Sequence, residues 1–279
     1  MAGMNSLIRT GRLFYGLGIM AYGIQQIVIQ DFRPQILPPF PAWAHQYIAF
    51  ALITGIAMVI LGAIISGLVK LDDTRTKKIS LYLGIYFLFL IITCHIPYLF
   101  FIFPHKLSHL GVWSDLLKEL AFSGGAFVIA GSFSISPSLH CKGILAGSLP
   151  GILITMGRIF FCITMVLFGC SHFVYMEFVS RMVPGWMEMP VFWTSVGGVA
   201  LIGSGIAIAL KIFIKPVAVL LAVMLFLWFL LLHVPGALAN PTGGRGNSIV
   251  SAFDALLFCG TALALAGYNR PARDNFIET

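Results

Sequence analysis

Two histidines occupy the same short pattern, His-x-Pro, at the end of long apolar runs. The pattern occurs as His95-Ile96-Pro97 and again as His233-Val234-Pro235. Ionisable side chains at membrane depth are rare and mark ligand sites or proton paths. An imidazole can ligate haem or copper, bond a quinone carbonyl or carry a proton. The alternative is structural: each histidine bonds a carbonyl near a helix terminus, and the proline ends the helix.

Acidic side chains follow or open other apolar segments near these histidines. Asp31 and Glu177, each followed by phenylalanine, come after the first segment of either half of the chain. Each either binds a ligand, pairs with the nearby Arg33 or Arg181, or caps a helix at the membrane interface. The catalytic residues stay unassigned, and no metal site is predicted. The candidate ligand-binding residues are His172, Glu177, His233, Asp254, His95, Asp31 and Glu119.

The composition excludes an ordinary soluble domain. Of the 279 residues, 59% are hydrophobic and only 10% are charged, whereas soluble domains carry about 25% charged residues. The net charge of +7 comes from short loops, so it indicates membrane topology and not a nucleic-acid partner. The five cysteines include no Cys-x-x-Cys pair. Nucleotide-binding loops, dinucleotide fingerprints and hydrolase motifs are also absent from the sequence, so ATP-driven and hydrolytic functions find no support.

The sequence repeats itself after about 140 residues. Gly11-Arg12-Leu13-Phe14 matches Gly157-Arg158-Ile159-Phe160, the two His-x-Pro patterns match, and Phe122-Ser123-Gly124 matches Phe258-Cys259-Gly260. We interpret this as a tandem duplication of a four-helix unit, with copy one at 1–135, a Ser/Gly/Pro-rich linker at 136–151 and copy two at 152–279. The predicted spans, each apolar and therefore helical in lipid, are 13–29, 46–69, 79–103, 116–135, 158–175, 190–210, 215–235 and 250–268.

Matched positions also differ in ways that bear on the site. Lys118 in copy one aligns with Asp254 in copy two. This exchange either forms an ion pair between the copies or marks one copy as active and the other as degenerate. His172 aligns with the amide Gln26, so copy two carries the additional imidazole. If a ligand binds, the sequence favours copy two.

The basic residues predict the orientation. With both termini in the cytoplasm, the inner side holds Arg9, Arg12, Lys70, Arg75, Lys77, Lys78, Lys142, Arg158, Lys211, Lys215, Arg270 and Arg273. The outer side holds Arg33, Lys106, Lys118, Arg181 and Arg245. This positive-inside bias predicts a multi-pass protein of the bacterial cytoplasmic membrane. Because each copy has an even number of spans, both copies insert in the same orientation. Six of the seven histidines then lie at the outer side, where we expect the loops to cap the helices.

Each copy resembles the DoxX-like family of four-helix membrane proteins. The resemblance rests on Gly-Arg-x-Phe, on Gly23 and Gly169, on His-x-Pro, and on the opening of the fourth span, Glu119-Leu120-Ala121-Phe122-Ser123-Gly124-Gly125. It covers nearly the whole chain, although copy two has Gly260-Thr261 in place of the double glycine. Some family members are similar to a subunit of a thiosulfate:quinone oxidoreductase, and others are linked to oxidative stress. The resemblance implies redox work with a quinone.

Three functions follow as hypotheses. The first is a redox-associated membrane protein that binds a quinone, or a similar small apolar ligand, near the extracytoplasmic face and works with a redox partner protein. The second is a non-catalytic transporter of small molecules, and the third is a membrane scaffold for partner proteins. All three place the chain in the lipid bilayer, and none assigns it a nucleic-acid partner.

Overall fold

A computed structural model describes residues 2–133 and 149–268, with side chains from 6 to 133 and from 151 to 267. Within these ranges the chain forms helices and turns and no strand. The α-helices are α1 (Ala2–Ile29), α2 (Ala42–Gln46), α3 (Ile48–Ser66), α4 (Asp73–Leu90), α5 (Ser114–Ser132), α6 (Leu149–Val174), α7 (Met176–Ser180), α8 (Pro190–Ala209), α9 (Ile214–Trp228), α10 (Val234–Ala239) and α11 (Asn247–Tyr268). Of the predicted linker only 149–151 is described, and there α6 has already begun.

Six of the described helical segments are long and apolar enough to cross a membrane. They are Ile48–Ser66, Asp73–Ile102, Gly151–Val174, Pro190–Ala209, Ile214–Ala239 and Gly243–Gly267. The chain is therefore an all-helical membrane protein with several spans. The two remaining long helices, α1 and α5, correspond to the predicted spans 13–29 and 116–135. They are more polar, since α5 opens with Asp115, Lys118 and Glu119. The eight-span arrangement stays a prediction.

Local signals at the helix termini explain several boundaries. The carboxylate of Asp72 accepts a hydrogen bond from the backbone N–H of Arg75 at 2.9 Å, which satisfies a free donor in the first turn of α4. At the other side of the same loop, α3 is followed directly by Gly67, whose φ of 82° lies in the left-handed region. Glycine reaches this conformation without the steric penalty that a Cβ brings.

The two His-x-Pro segments fold alike, and neither proline ends its helix. A π-helical turn precedes each proline, at Ile91–His95 and at Phe229–His233. The chain then stays helical through a second π-helical turn (Tyr98–Ile102) and through α10, respectively. A proline lacks an N–H and its ring clashes with the carbonyl four residues earlier. A wider turn accommodates this conflict, so the expectation that proline ends the helix was wrong.

The helices pack in a regular pattern around α5 and α11. Helix α1 packs against α3 and α11, α6 packs against α8 and α5, α4 packs against α5, and α9 packs against α11. Helices α5 and α11 also contact each other. The centre is aromatic, with Tyr15, Tyr22, Phe87, Phe122 and Phe161 fully buried. Lys118 and Glu119 of α5 and Asp254 of α11 face neighbouring helices and not lipid, since each has its partner on another element of the bundle.

Candidate functional site

A histidine and a glutamate meet in the interior between α4 and α5. His95 ends the π-helical turn that extends α4, and Glu119 lies one turn inside α5. His95 Nε2 is 3.0 Å from Glu119 Oε2, with the side chains 3% and 0% exposed. The contact is close in distance but not aligned as a hydrogen bond, and within the described residues neither carboxylate oxygen has another hydrogen-bond partner. A buried carboxylate in this setting is costly unless it is neutralised or paired.

The residues between α1 and α3, 30–47, lie over this pair; we call them the cap segment. Phe32, Ile36 and Leu37 of the cap segment are buried. The backbone of Ile36 lies beside the His95 imidazole. This part of the cap segment is a tight turn, because the Ile36 N–H donates to the carbonyl of Arg33 at 2.8 Å.

A second cluster joins three helices from both halves of the chain. Tyr22 of α1 donates its hydroxyl hydrogen to Asp254 Oδ1 of α11 at 2.5 Å. Lys118 Nζ of α5 lies 2.8 Å from the other carboxylate oxygen of Asp254. The ion pair between matched positions of the two halves, one of the two alternatives that the sequence left open, is therefore present. Asp254 and Tyr22 are buried, so the charges neutralise each other away from water.

Asp31 belongs to a third group, which fastens the cap segment. Its carboxylate contacts His45 Nδ1 at 2.8 Å and accepts from Arg245 Nη2 at 3.0 Å. Burial opposes ionisation of Asp31, but the bonds from His45, Arg245 and the Phe32 N–H outweigh it and hold the pKa of this carboxyl below its ordinary value. Arg33 is not its partner: Arg33 donates to the Arg245 carbonyl at 2.7 Å instead. These bonds join the cap segment to the loop before α11.

The other three candidates of copy two, His172, Glu177 and His233, do not form one site with Asp254. His172 Nδ1 lies 2.8 Å from the Phe168 carbonyl of its own helix, and its ring stacks on Trp228. Glu177 is 86% exposed and pairs with Arg181, one of its predicted alternatives. The described contacts of His233 include no hydrogen bond or ion pair, although Asp254 and Lys118 lie within electrostatic range. The expected grouping around His172 is therefore not observed.

Tyr22, Lys118, Arg33 and Arg245 take part in these clusters but were not among the candidate residues. One signal was available for Tyr22, since the offset that aligns Gly23 with Gly169 aligns Tyr22 with Phe168. The Tyr22 hydroxyl therefore occurs in copy one and not in copy two, just as Lys118 in copy one is replaced by Asp254 in copy two. Arg33 and Arg245 carry no such signal. They lie in loops, and the path of the backbone decides which residues a loop side chain can reach.

The chemistry available is acid–base chemistry in a nearly dry interior. The His95–Glu119 pair can donate or accept a proton or a hydrogen bond, and the Tyr22–Asp254–Lys118 cluster can neutralise or relay charge. Among the described residues no three His, Cys, Asp or Glu side chains converge as metal ligands would. Comparison with known protein families, with curated proteins and with solved structures found no match to this chain.

Proposed function

We propose that the chain is a tandem duplication of a DoxX-like unit with eight spans. Glycine contacts support this, because residues that the sequence pairs make equivalent contacts. A Cβ on Gly11 would lie 2.6 Å from the carbonyl oxygen of Gly260. The matched glycines of the other pair, Gly157 and Gly124, face each other in the same way between α6 and α5. Each first helix thus packs on the fourth helix of the other copy.

Side-chain hydrogen bonds give a second, independent support for the duplication. Ser123 donates to the carbonyl of Gly84 at 2.8 Å, and its counterpart Cys259 donates to the carbonyl of Ala222 at 3.2 Å. Gly84 and Ala222 are separated by the same number of residues as His95 and His233. Two copies in the same orientation, related by an axis along the membrane normal, account for this arrangement.

We propose that the protein is redox-associated and binds a quinone, or a similar small apolar ligand, near the extracytoplasmic face of the bacterial cytoplasmic membrane. One observation carries this proposal: the buried His95–Glu119 pair under the cap segment. A quinone partitions into the bilayer, and its carbonyl oxygens accept hydrogen bonds from an acid or an imidazole. The pair offers such groups in apolar surroundings, where they are most effective. A redox partner protein would supply or remove the electrons.

The ligand is tested on protein purified in mild detergent and re-equilibrated with a ubiquinone or menaquinone analogue. We expect the wild type to retain quinone, measured by ultraviolet absorption and mass spectrometry of the extract, and Glu119→Ala to lose at least about 90% of it, equivalent to about 1.4 kcal/mol. His172→Ala is the matched control, since His172 bonds its own helix. Retention of quinone by Glu119→Ala at the wild-type level would rule out this site.

A transporter is the alternative that a specific observation favours. The Tyr22–Asp254–Lys118 cluster places two charges inside the helix bundle, and buried charges in membrane proteins often mark substrate or proton paths. Proteoliposomes distinguish the two functions. Movement of a solute or of protons that depends on Asp254 and needs no quinone supports transport, whereas a quinone-dependent redox change supports the first proposal.

A further inference from the structure

The imidazole of His45 makes two hydrogen bonds inside the cap segment. His45 Nδ1 is 2.8 Å from Asp31 Oδ1, and His45 Nε2 is 2.8 Å from the carbonyl oxygen of Pro38. These bonds connect the end of the cap segment to its beginning and to its middle. The buried Phe32 ring packs edge-on against the imidazole, with the ring centroids 5.6 Å apart. Packing and both bonds therefore fix the orientation of the imidazole.

Both partners of His45 are groups that can only accept. The Pro38 carbonyl has no hydrogen to donate. The Asp31 carboxylate also accepts from the Phe32 N–H at 2.8 Å and from Arg245 Nη2 at 3.0 Å. These bonds lower the pKa of Asp31, and an ionised carboxylate is an acceptor only. Each ring nitrogen of His45 must then carry a hydrogen, so the ring is an imidazolium.

The charged groups around His45 come from the cap segment and from the loop before α11. Asp31 faces the imidazole directly, and Arg245 bonds the other oxygen of Asp31. Arg33 donates to the Arg245 carbonyl. Helix α3 contains no ionisable side chain, and the last turn of α1 contains none. The side chains of His45 and Asp31 are 23% and 24% exposed, so water can deliver and remove the proton.

We propose that the proton on His45 closes the cap segment, and that its loss as the pH rises releases the segment at Pro38. A neutral imidazole has one N–H, so it can donate to Asp31 or to Pro38 but not to both. With the hydrogen on Nδ1, the Nε2 lone pair would face the Pro38 oxygen and be repelled. Asp31 remains ionised until the pH falls below the ordinary carboxyl range, because its pKa is lowered. The segment is therefore closed between these two limits.

The device belongs to copy one. Positions 188–191, where the alignment places the counterpart of His45, contain no histidine, and the matched acid Glu177 is exposed. The proton thus controls only the segment that lies over the His95–Glu119 pair. Access of a ligand to that pair rests on the proposed function, whereas the closing of the cap segment needs no quinone and is tested without one.

The protonation state is measured by ¹⁵N NMR of histidine-labelled wild-type protein in lipid nanodiscs without quinone. Cross-peaks to the Phe32 ring, which contacts the imidazole, assign the His45 resonances. We expect both ring nitrogens of His45 to carry hydrogen at every pH at which the cap amides are protected from exchange. A bare ring nitrogen on His45 while the cap amides remain protected would overturn the proposal.

Coupling to the cap segment is measured by amide hydrogen exchange of Ile36, Leu37 and Phe40, whose N–H groups bond carbonyls inside the segment. His45→Gln does not titrate and carries no charge. While His45 is doubly protonated, we expect these amides to exchange at least about tenfold more slowly in the wild type than in His45→Gln, the usual effect of a bond from a charged donor. The two proteins should exchange equally once the proton is lost.

The control is His105→Gln, since His105 is exposed and lies outside the cap segment. It should exchange like the wild type at every pH. Equal exchange of the wild type and His45→Gln across the whole pH range would refute the coupling. Should His45→Gln fail to fold, the wild type decides alone: its cap protection must fall at the pH at which NMR shows the loss of the second ring hydrogen, and protection that continues above that pH contradicts the proposal.

Discussion

The buried carboxylate of Asp254 is held by two partners, since it accepts a hydrogen bond from the Tyr22 hydroxyl and faces the Lys118 ammonium. A carboxylate left alone at this depth would lose its hydration without compensation. Lys118 and Asp254 therefore depend on each other, because either charge alone would be buried without compensation. The intact pair adds little stability over a pair of apolar side chains.

Removal of one partner of this pair should be far more harmful than removal of both. We expect Lys118→Met and Asp254→Asn each to lower the unfolding free energy by about 3–5 kcal/mol. Lys118→Met leaves the Asp254 carboxylate without its cation, and Asp254→Asn leaves the Lys118 ammonium without its anion. The double variant should lose clearly less than the sum. Thermal unfolding in detergent, followed by size-exclusion fluorescence, measures the difference.

The exposed pair Arg181–Glu177 provides the control for this measurement. Its members are 73% and 86% exposed, so solvent screens their interaction. Arg181→Met should leave the unfolding midpoint unchanged. If the Lys118 and Asp254 single variants behave as mildly as Arg181→Met, the ion pair is not buried as the structure describes.

At the scale of elements, glycine determines how closely the helices approach. Backbones touch where Gly11 meets Gly260 and where Gly157 meets Gly124, since in both cases a Cβ would meet a carbonyl oxygen. Close approach through small residues is the usual way in which membrane helices associate, because lipid leaves no hydrophobic driving force between them. These contacts hold α1 on α11 and α6 on α5.

A methyl group at these positions should separate the helices. We expect Gly11→Ala and Gly157→Ala each to destabilise the protein by about 1–3 kcal/mol, the usual cost of overpacking, and to lower the yield of monodisperse protein. Gly203→Ala in α8 is the matched control, because a Cβ there meets nothing within 4 Å. Gly203→Ala should be neutral or slightly stabilising, since alanine favours helix over glycine. Equal tolerance of all three substitutions would contradict the packing.

At the scale of the whole molecule, the cap segment and the loop before α11 close one end of the bundle. Arg33, Asp31 and Arg245 connect them across 212 or more residues of sequence. We infer from the distribution of Lys and Arg that this end faces outward. The orientation follows from charge and not from packing, because the same bundle would pack equally well when inverted.

Thiol labelling in intact cells tests this topology. In a chain without its own cysteines, Glu188→Cys at the cap end should react with an impermeant reagent, and Lys70→Cys at the opposite end only after permeabilisation. Both residues are exposed, so they form a matched pair. A reporter fused after Thr279 should read as cytoplasmic. An external Lys70→Cys or an external reporter would refute the predicted orientation.

The sequence alone determined that this is a helical membrane protein, because apolar composition and length are local properties and lipid forces backbone groups to bond within their own segment. It also singled out His95, Glu119 and Asp254. The tertiary structure decided their partners, which depend on how each helix is rotated about its axis and which neighbour it crosses. No local pattern encodes that rotation, so the sequence favoured a site around His172, whereas packing directs His172 to its own backbone and brings His95 to Glu119.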